Sequence, residues 1–414
     1  MSGRHNPQGV LRGIDSFALT VRSERCVQVR NRNADCMRCA EVCTSGCITV
    51  DEGALAVDPE RCVGCGTCAT VCPTCALEAR NPNDAQLLAA AKAAVREGSV
   101  CVACQPVRAA LGGLVDEDAV APVVCLGRVE ETLVAGLAAA GVTRVDLVAG
   151  DCVHCAQRAG RDCARMVAQS ANGLLAAWEH PCRAELAPRV PAYALAAGAS
   201  ADDAQAAIEA YFREERACVP VRAQVTVAES DEPASAGESA PEAPAAFASS
   251  AVAEDSVEPA SRFARVMADG TLPHFLPDRR ERLLNALYAL GEPKAPFVST
   301  RLWGMVAIDG TKCSSCRMCA TFCPTGSLRR FGEDEGEGSE FGVEHFPGDC
   351  VKCGTCRAIC PEGAILLLDD VKPSYLFDGD VHRYRMRSRA VKMNDPHQIL
   401  NTMKSQIEGD VFER

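Results

Sequence analysis

The chain has 414 residues, 26 of them cysteine, and a formal net charge of −12. Such acidity excludes general nucleic-acid binding, which needs Lys/Arg to neutralise phosphates, and no stretch approaches the about 18 uninterrupted apolar residues of a membrane-spanning helix. Residues 1–20 hold no secretory apolar core, so a cytoplasmic location is expected, where thiols stay reduced and dense cysteine reads as metal binding or catalysis rather than disulfides.

The cysteines form three groups, from Cys26 to Cys75, Cys101 to Cys218 and Cys313 to Cys360. After an N-terminal extension (1–20), the first group occupies a module at 21–82. Cys62-Val-Gly-Cys65-Gly-Thr-Cys68-Ala-Thr-Val-Cys72-Pro73 is a complete C-x2-C-x2-C-x3-C-P run, the pattern of bacterial-type two-cluster ferredoxins. Three cysteines on a tight loop can wrap one iron-sulfur cubane, and the fourth faces a neighbouring cubane. The earlier half is irregular. Cys43-Thr-Ser-Gly46-Cys47-Ile48 aligns on Cys323-Pro-Thr-Gly-Ser-Leu328, which makes Cys43 the crossing cysteine, with Thr44 where proline is usual. Cys39 and Cys36 fill the third and second slots, but the first falls on Asn33; the nearest upstream cysteine is Cys26. The assignment is therefore one 4Fe-4S cluster on Cys26, Cys36, Cys39 and Cys72, and another on Cys62, Cys65, Cys68 and Cys43. Two rivals stay open: Cys47 in place of Cys26, or a three-iron cluster with an open corner. Cys47 and Cys75 otherwise align with Ser327 and Gly363 and are expected as free, buried thiols. Cys68 to Cys75 also spells C-x3-C-x2-C, the radical-SAM loop, but it overlaps a complete ferredoxin run and no barrel pattern follows, so the match is read as coincidence.

Residues 83–219 read as a small α/β domain. Ala121 to Cys125 is a short apolar strand, Glu130 to Ala140 a helix stopped by Gly141, Arg144 to Gly150 a second strand, and Ala156 to Trp178 a second helix. Strand, helix, strand in this order implies parallel pairing. Cys125 and Cys152 then lie at the carboxyl edge of the sheet, where ligands of open α/β folds gather. Cys101-Val-Ala-Cys104 precedes these strands and could close over that edge. Cys101-x2-Cys104, Cys125-Leu-Gly-Arg-Val and Val148-Ala-Gly-Asp-Cys152-Val-His-Cys155 together resemble the small iron-sulfur (delta) subunit of methyl-viologen-reducing hydrogenases. The resemblance implies a 2Fe-2S cluster drawing on Cys101, Cys104, Cys125 and Cys152 or Cys155, and a link between a hydrogenase and heterodisulfide reductase. The spacing of the last cysteines departs from that pattern. Zinc on paired C-x2-C knuckles and free thiols remain the alternatives. Cys163, Cys182 and Cys218 are expected as core or surface thiols, and His154 as a local surface residue.

Residues 220–261, rich in Ala, Ser, Glu and Pro, read as a disordered linker. A helical connector (262–300) begins a helix near Leu276 and is expected to pack the rear module onto the rest. The rear module (301–370) carries two complete runs, Cys313 to Pro324 and Cys350 to Pro361. They assign one 4Fe-4S cluster to Cys313, Cys316, Cys319 and Cys360 and another to Cys350, Cys353, Cys356 and Cys323. Cys65-Gly-Thr-Cys68 recurs as Cys353-Gly-Thr-Cys356, so the module is an internal repeat. The tail (371–414) holds a basic strip, His382 to Arg389, which reads equally as a docking arm for an acidic partner or as neutralisation of the acidic stretch Glu333 to Glu340.

The expected fold is α+β, with two ferredoxin-like dicluster modules flanking a small α/β domain with a parallel sheet. The expected function is electron relay between a donor and a larger cytoplasmic oxidoreductase, through four 4Fe-4S clusters and a candidate 2Fe-2S cluster or zinc site. No phosphate-binding or zinc-hydrolase motif marks a catalytic set, so an electron-transfer subunit is favoured over a stand-alone enzyme. The alternatives are a reductase acting through the middle cysteines and a redox-sensing iron-sulfur scaffold.

Overall fold

The computed structural model describes residues 18–51, 53–213, 267, 271–333 and 338–387. Cys218, the linker at 220–261, most of the N-terminal extension and the end of the tail lie outside the described residues.

The two cysteine-rich modules share one plan. In the front module Leu19–Val21 pairs antiparallel with Leu77–Ala79, and Ile48–Asp51 with Ala54–Val57. In the rear module Met305–Ile308 pairs with Ile365–Leu368, and Leu328–Phe331 with Gly342–His345. Each run thus lies between an outer strand pair and an inner hairpin, whose apolar residues Leu19, Leu55 and Leu77, or Val306, Leu328 and Val343, pack with the cysteines themselves. Modules of this size are too small to bury a conventional core, so thiols supply part of it.

The rear hairpin gains a third strand. His382–Arg385 pairs antiparallel with Gly342–His345, which places the start of the basic strip inside the module. Arg383 is 2.7 Å from Glu344 and stacks over Phe331, and Arg385 is 3.2 Å from Glu340. The described part of the strip is used within the chain.

The middle domain holds a four-stranded parallel sheet in the order Val120–Val123, Ser99–Cys104, Arg144–Val148, Arg183–Ala187. Cys101 to Cys104, expected to close over the sheet edge, instead belongs to an inner strand. The reason is a continuous apolar run, Val100 to Ala103, covered on both faces, as strands inside parallel sheets are. Helices Glu131–Ala139 and Ala159–Ala177 lie where the sequence places them; the last strand and helices Asp84–Ala93, Gln105–Leu111 and Ala201–Arg213 were not anticipated. Among the described residues no helix is long and apolar enough to cross a membrane.

Helix Asp278–Ala289 joins the parts. Its Leu283, Ala286 and Leu287 share one core with Ala135, Leu174 and Trp178 of the middle domain and with Val298, Leu302 and Trp303 ahead of the rear module. Leu287→Ala should therefore cost about 2–5 kcal/mol in denaturant unfolding. Tyr288→Ala, one residue on and 79 % exposed, should stay within about 0.5 kcal/mol.

The modules also touch directly. Val27 and Ala34 of the front module pack on Ile359 of the rear one, with Cys36, Phe322 and Cys353 against the same cluster. The residues between Cys26 and Cys36, irregular in sequence, form this contact.

Candidate metal centres

The three complete runs use one backbone device. The residues on either side of the middle cysteine are left-handed: Gly64 (φ 66°) and Gly66 (φ 75°) beside Cys65, Ser315 (φ 60°) and Arg317 (φ 55°) beside Cys316, and Lys352 (φ 50°) and Gly354 (φ 86°) beside Cys353. This pair of reversals curls the chain around a common space. Non-glycine residues pay a steric penalty there, yet Ser315, Arg317 and Lys352 adopt it. Cys36 lacks the device: Met37 has φ −118°. Cys26 instead precedes a helical turn, Val27–Arg30, that carries the chain away before Cys36 returns it.

The structure nevertheless brings the irregular set together. Burial raises the Cys39 thiol to about 12, with Cys72, Cys26 and Cys36 adding to the rise. Burial also raises Cys26, again with Cys72 and Cys36 acting on it. In the second front set, burial raises Cys68 well above the ordinary thiol value, and Cys65, Cys39, Cys47 and Cys43 all contribute. Cys47 belongs with this second group: its sulfur is 3.5 Å from that of Cys43, and its hydrogen bond to Cys62 lowers the Cys62 thiol. The aligned Ser327 of the rear module likewise hydrogen-bonds Cys350. Cys75 is buried in the left-handed conformation (φ 50°) that Gly363 adopts in the repeat (φ 57°).

In the rear module burial raises Cys356, with Cys353, Cys350 and Cys323 acting on it. Burial raises Cys319 to about 12, and Cys316 and Cys313 add to the rise. Cys360 accepts the Ala364 N–H at 3.4 Å, as Cys72 accepts that of Ala76 at 3.2 Å. Cys316 is exposed.

In the middle domain Cys104, Cys125, Cys152 and Cys155 line one small cavity at the carboxyl edge of the sheet, together with Pro106, Arg161 and Phe212. Cys101 does not join them. It stands three residues from Cys104 in one strand, hence on the opposite face, in register with buried Asp146, which helps raise its thiol. Of the five candidate cysteines of the middle domain the structure thus gathers four at the cavity and places Cys101 apart. Gly160 allows the close fit there, since a Cβ on it would meet the Cys125 sulfur at 2.0 Å. Cys163 and Cys182 are buried away from the cavity lining, and exposed His154 pairs with Asp151 at 2.8 Å.

These donor sets fit iron-sulfur groups. Thiols pushed up by burial become ligands only when a metal takes the proton's place, and nearby buried guanidinium nitrogens, Arg280 Nη1 and Arg30 Nε, have no hydrogen-bond partner. Among the described residues no three His, Cys, Asp or Glu side chains converge on a single-ion position; ligands of a multinuclear group stand further apart.

A family described as 4Fe-4S dicluster domain matches residues 34–76 and 312–364. The chain carries a duplicated ferredoxin-type module. The first match begins at Ala34, after Cys26, and neither match reaches the middle domain. Electron transport protein HydN of Escherichia coli strain K12 is 38% identical over 69 residues, 17% of this chain and 34% of that protein. Ferredoxin 7Fe of Hydrogenibacillus schlegelii is 35% identical over 55 residues, 13% of this chain and 64% of that protein. The chain thus spans about a third of the HydN relative's length. No solved structure gives a significant match.

The sites adjoin one another. Thr44, in the slot of the usual proline, donates its hydroxyl hydrogen to the Ala156 carbonyl, tying the Cys43 turn to the loop of Cys152 and Cys155. The Cys65–Cys68 loop lies against the Cys125–Arg128 turn: a Cβ on Gly127 would meet Thr67 Oγ1 at 2.2 Å. Cys65 accordingly acts electrostatically on Cys125. Sequence reasoning missed the arginines that bind the cysteine loops, Arg30, Arg279, Arg280 and Arg301. One signal was legible: Arg279-Arg280 in the first turn of a helix, where the dipole favours acids.

Proposed function

We propose that the chain is an iron-sulfur electron-transfer protein or subunit that relays electrons between a donor and a larger cytoplasmic oxidoreductase. Its ligand sets are Cys26/Cys36/Cys39/Cys72, Cys43/Cys62/Cys65/Cys68, Cys313/Cys316/Cys319/Cys360 and Cys323/Cys350/Cys353/Cys356 for 4Fe-4S clusters, and Cys104/Cys125/Cys152/Cys155 for a 2Fe-2S cluster. An iron-sulfur cluster, when bound, takes up and gives back a single electron. The observation that carries the reading is contiguity. Cys125 neighbours Cys65, Cys68 neighbours Cys39, Cys36 and Cys353 share one apolar cluster, and Cys356 neighbours Cys319. Four cysteine loops and a sheet edge thus lie in series from the middle domain to the rear module. Its two ends approach solvent, at exposed Cys316 and at Val153 beside Cys152. Partner proteins are expected at these ends. The name of the HydN relative, an electron transport protein, supports the same reading.

Anaerobic iron, sulfide and zinc analysis of the whole chain, with EPR after dithionite reduction, tests it. About 18 irons per chain are expected, from four cubanes and one two-iron group. About 16 irons with zinc would remove the middle cluster from the reading, and a folded, colourless, iron-free protein would remove all of it.

A further inference from the structure

Three buried arginines and the half-buried Arg301 donate to carbonyls of the cysteine loops, and they are of two kinds. Arg279 donates to the carbonyls of Ala69 (2.6 Å) and Cys72 (3.2 Å), and Arg301 to that of Thr70 (3.2 Å). Each is neutralised by a carboxylate at the start of helix Glu131–Ala139: Glu130 lies 3.0 Å from Arg279 and Glu131 2.6 Å from Arg301. The other two have no such partner. Arg280, 3 % exposed, donates through Nη2 to the carbonyls of Leu302 and Cys350 (2.9 Å), and its Nη1 is unpartnered. Arg30, 9 % exposed, donates to the carbonyls of Pro273 (2.8 Å), Glu24 (3.4 Å) and Cys323 (3.3 Å), and its Nε is unpartnered. Among the described residues neither makes an ion pair. Asp349, which acts on Arg280 from a distance, is itself held by Arg329 at 3.0 Å.

A buried cation without an anion is strongly disfavoured, yet two of them converge on loops of one ligand set. We infer that Arg30 and Arg280 are the counter-cations of the group held by Cys323, Cys350, Cys353 and Cys356, and that they make this site easier to reduce than it would be without them. Each electron accepted there adds a negative charge beside two poorly screened guanidiniums, which favours the reduced state. At the front site Glu130 and Glu131 offset Arg279 and Arg301, and buried Arg128 beside the same loop is paired with Asp84 and shares Glu130. Arg30 comes from the helical turn after Cys26, so the front module supplies a charge to the rear site across their contact. The inference rests on the proposed assignment of these four cysteines as one cubane's ligands.

The test is an EPR-monitored redox titration of the full-length holoprotein, with the signal lost in Cys356→Ala marking the site. Arg280→Met and Arg30→Met should each lower the reduced-to-oxidised ratio of that signal at least tenfold at a fixed potential, about 59 mV for one electron. Arg280→Lys, which keeps the charge, should stay within about threefold, or about 30 mV. Unshifted titrations in both Met variants, with iron content retained, overturn the inference. So does a Lys variant that falls as far as the Met variant, since that is a packing effect. Arg30→Met, on a separate element, decides the matter should Arg280→Met fail to fold. A Cys356→Ala protein that keeps all its iron and all its signals would instead defeat the ligand assignment, a result of a different kind.

Discussion

Cys26→Ala should strip the front module of one cubane, lowering iron by about four per chain, or by about one if a three-iron group survives on the other ligands. Its neighbours decide this expectation. Cys72 and Cys36 act on the Cys26 thiol, whereas Cys47, the rival in the sequence, stands with Cys43 and Cys62. Cys47→Ala should accordingly leave the iron content unchanged. Anaerobic iron analysis of the two variants beside the parent protein reads the difference directly. The reverse pattern, iron lost with Cys47 and kept without Cys26, would refute the assignment. A parent protein already one iron short would favour the three-iron alternative, and Cys26 would then be a free thiol.

The second large effect lies in the middle domain. Cys104→Ala should abolish the two-iron EPR signal and remove about two irons, because Cys104 lines the cavity with Cys125, Cys152 and Cys155. Cys101→Ala should retain both. It removes a fully buried sulfur from the other face of the sheet and should cost stability alone, on the order of 1 kcal/mol. The pair is informative because the two cysteines sit in one C-x2-C motif, and only strand alternation separates them. Were zinc, and not iron, the metal lost with Cys104, the cavity would be a zinc site. Equal losses from both variants would contradict the placement of Cys101.

Much of the candidate site was legible because the spacing of cysteines on a tight loop is a local affair. In the complete runs the spacing sets three thiols on one loop, and the left-handed residues beside Cys65, Cys316 and Cys353 are the backbone form of that spacing. The parallel arrangement of the middle domain was legible for a similar reason, since strand–helix–strand order constrains handedness and pairing. The inner strand Ser99–Cys104 was not, because an unbroken apolar run has no periodicity to distinguish a strand from a loop that closes over an edge. The basic strip read equally as a docking arm or as internal neutralisation; its first residues form the third strand of the rear hairpin.

Sequence by itself, then, determined the duplicated modules, the three regular cysteine runs and the chemistry of their thiols, since these depend on residues close together along the chain. Tertiary structure decided the rest: which face Cys101 occupies, where Cys47 points its sulfur, how the Cys26 loop meets the rear module, and which buried arginines find a carboxylate. Those outcomes are set by packing between segments up to 293 residues apart, as in the hydrogen bond from Arg30 to the Cys323 carbonyl, and no local pattern encodes contacts of that range.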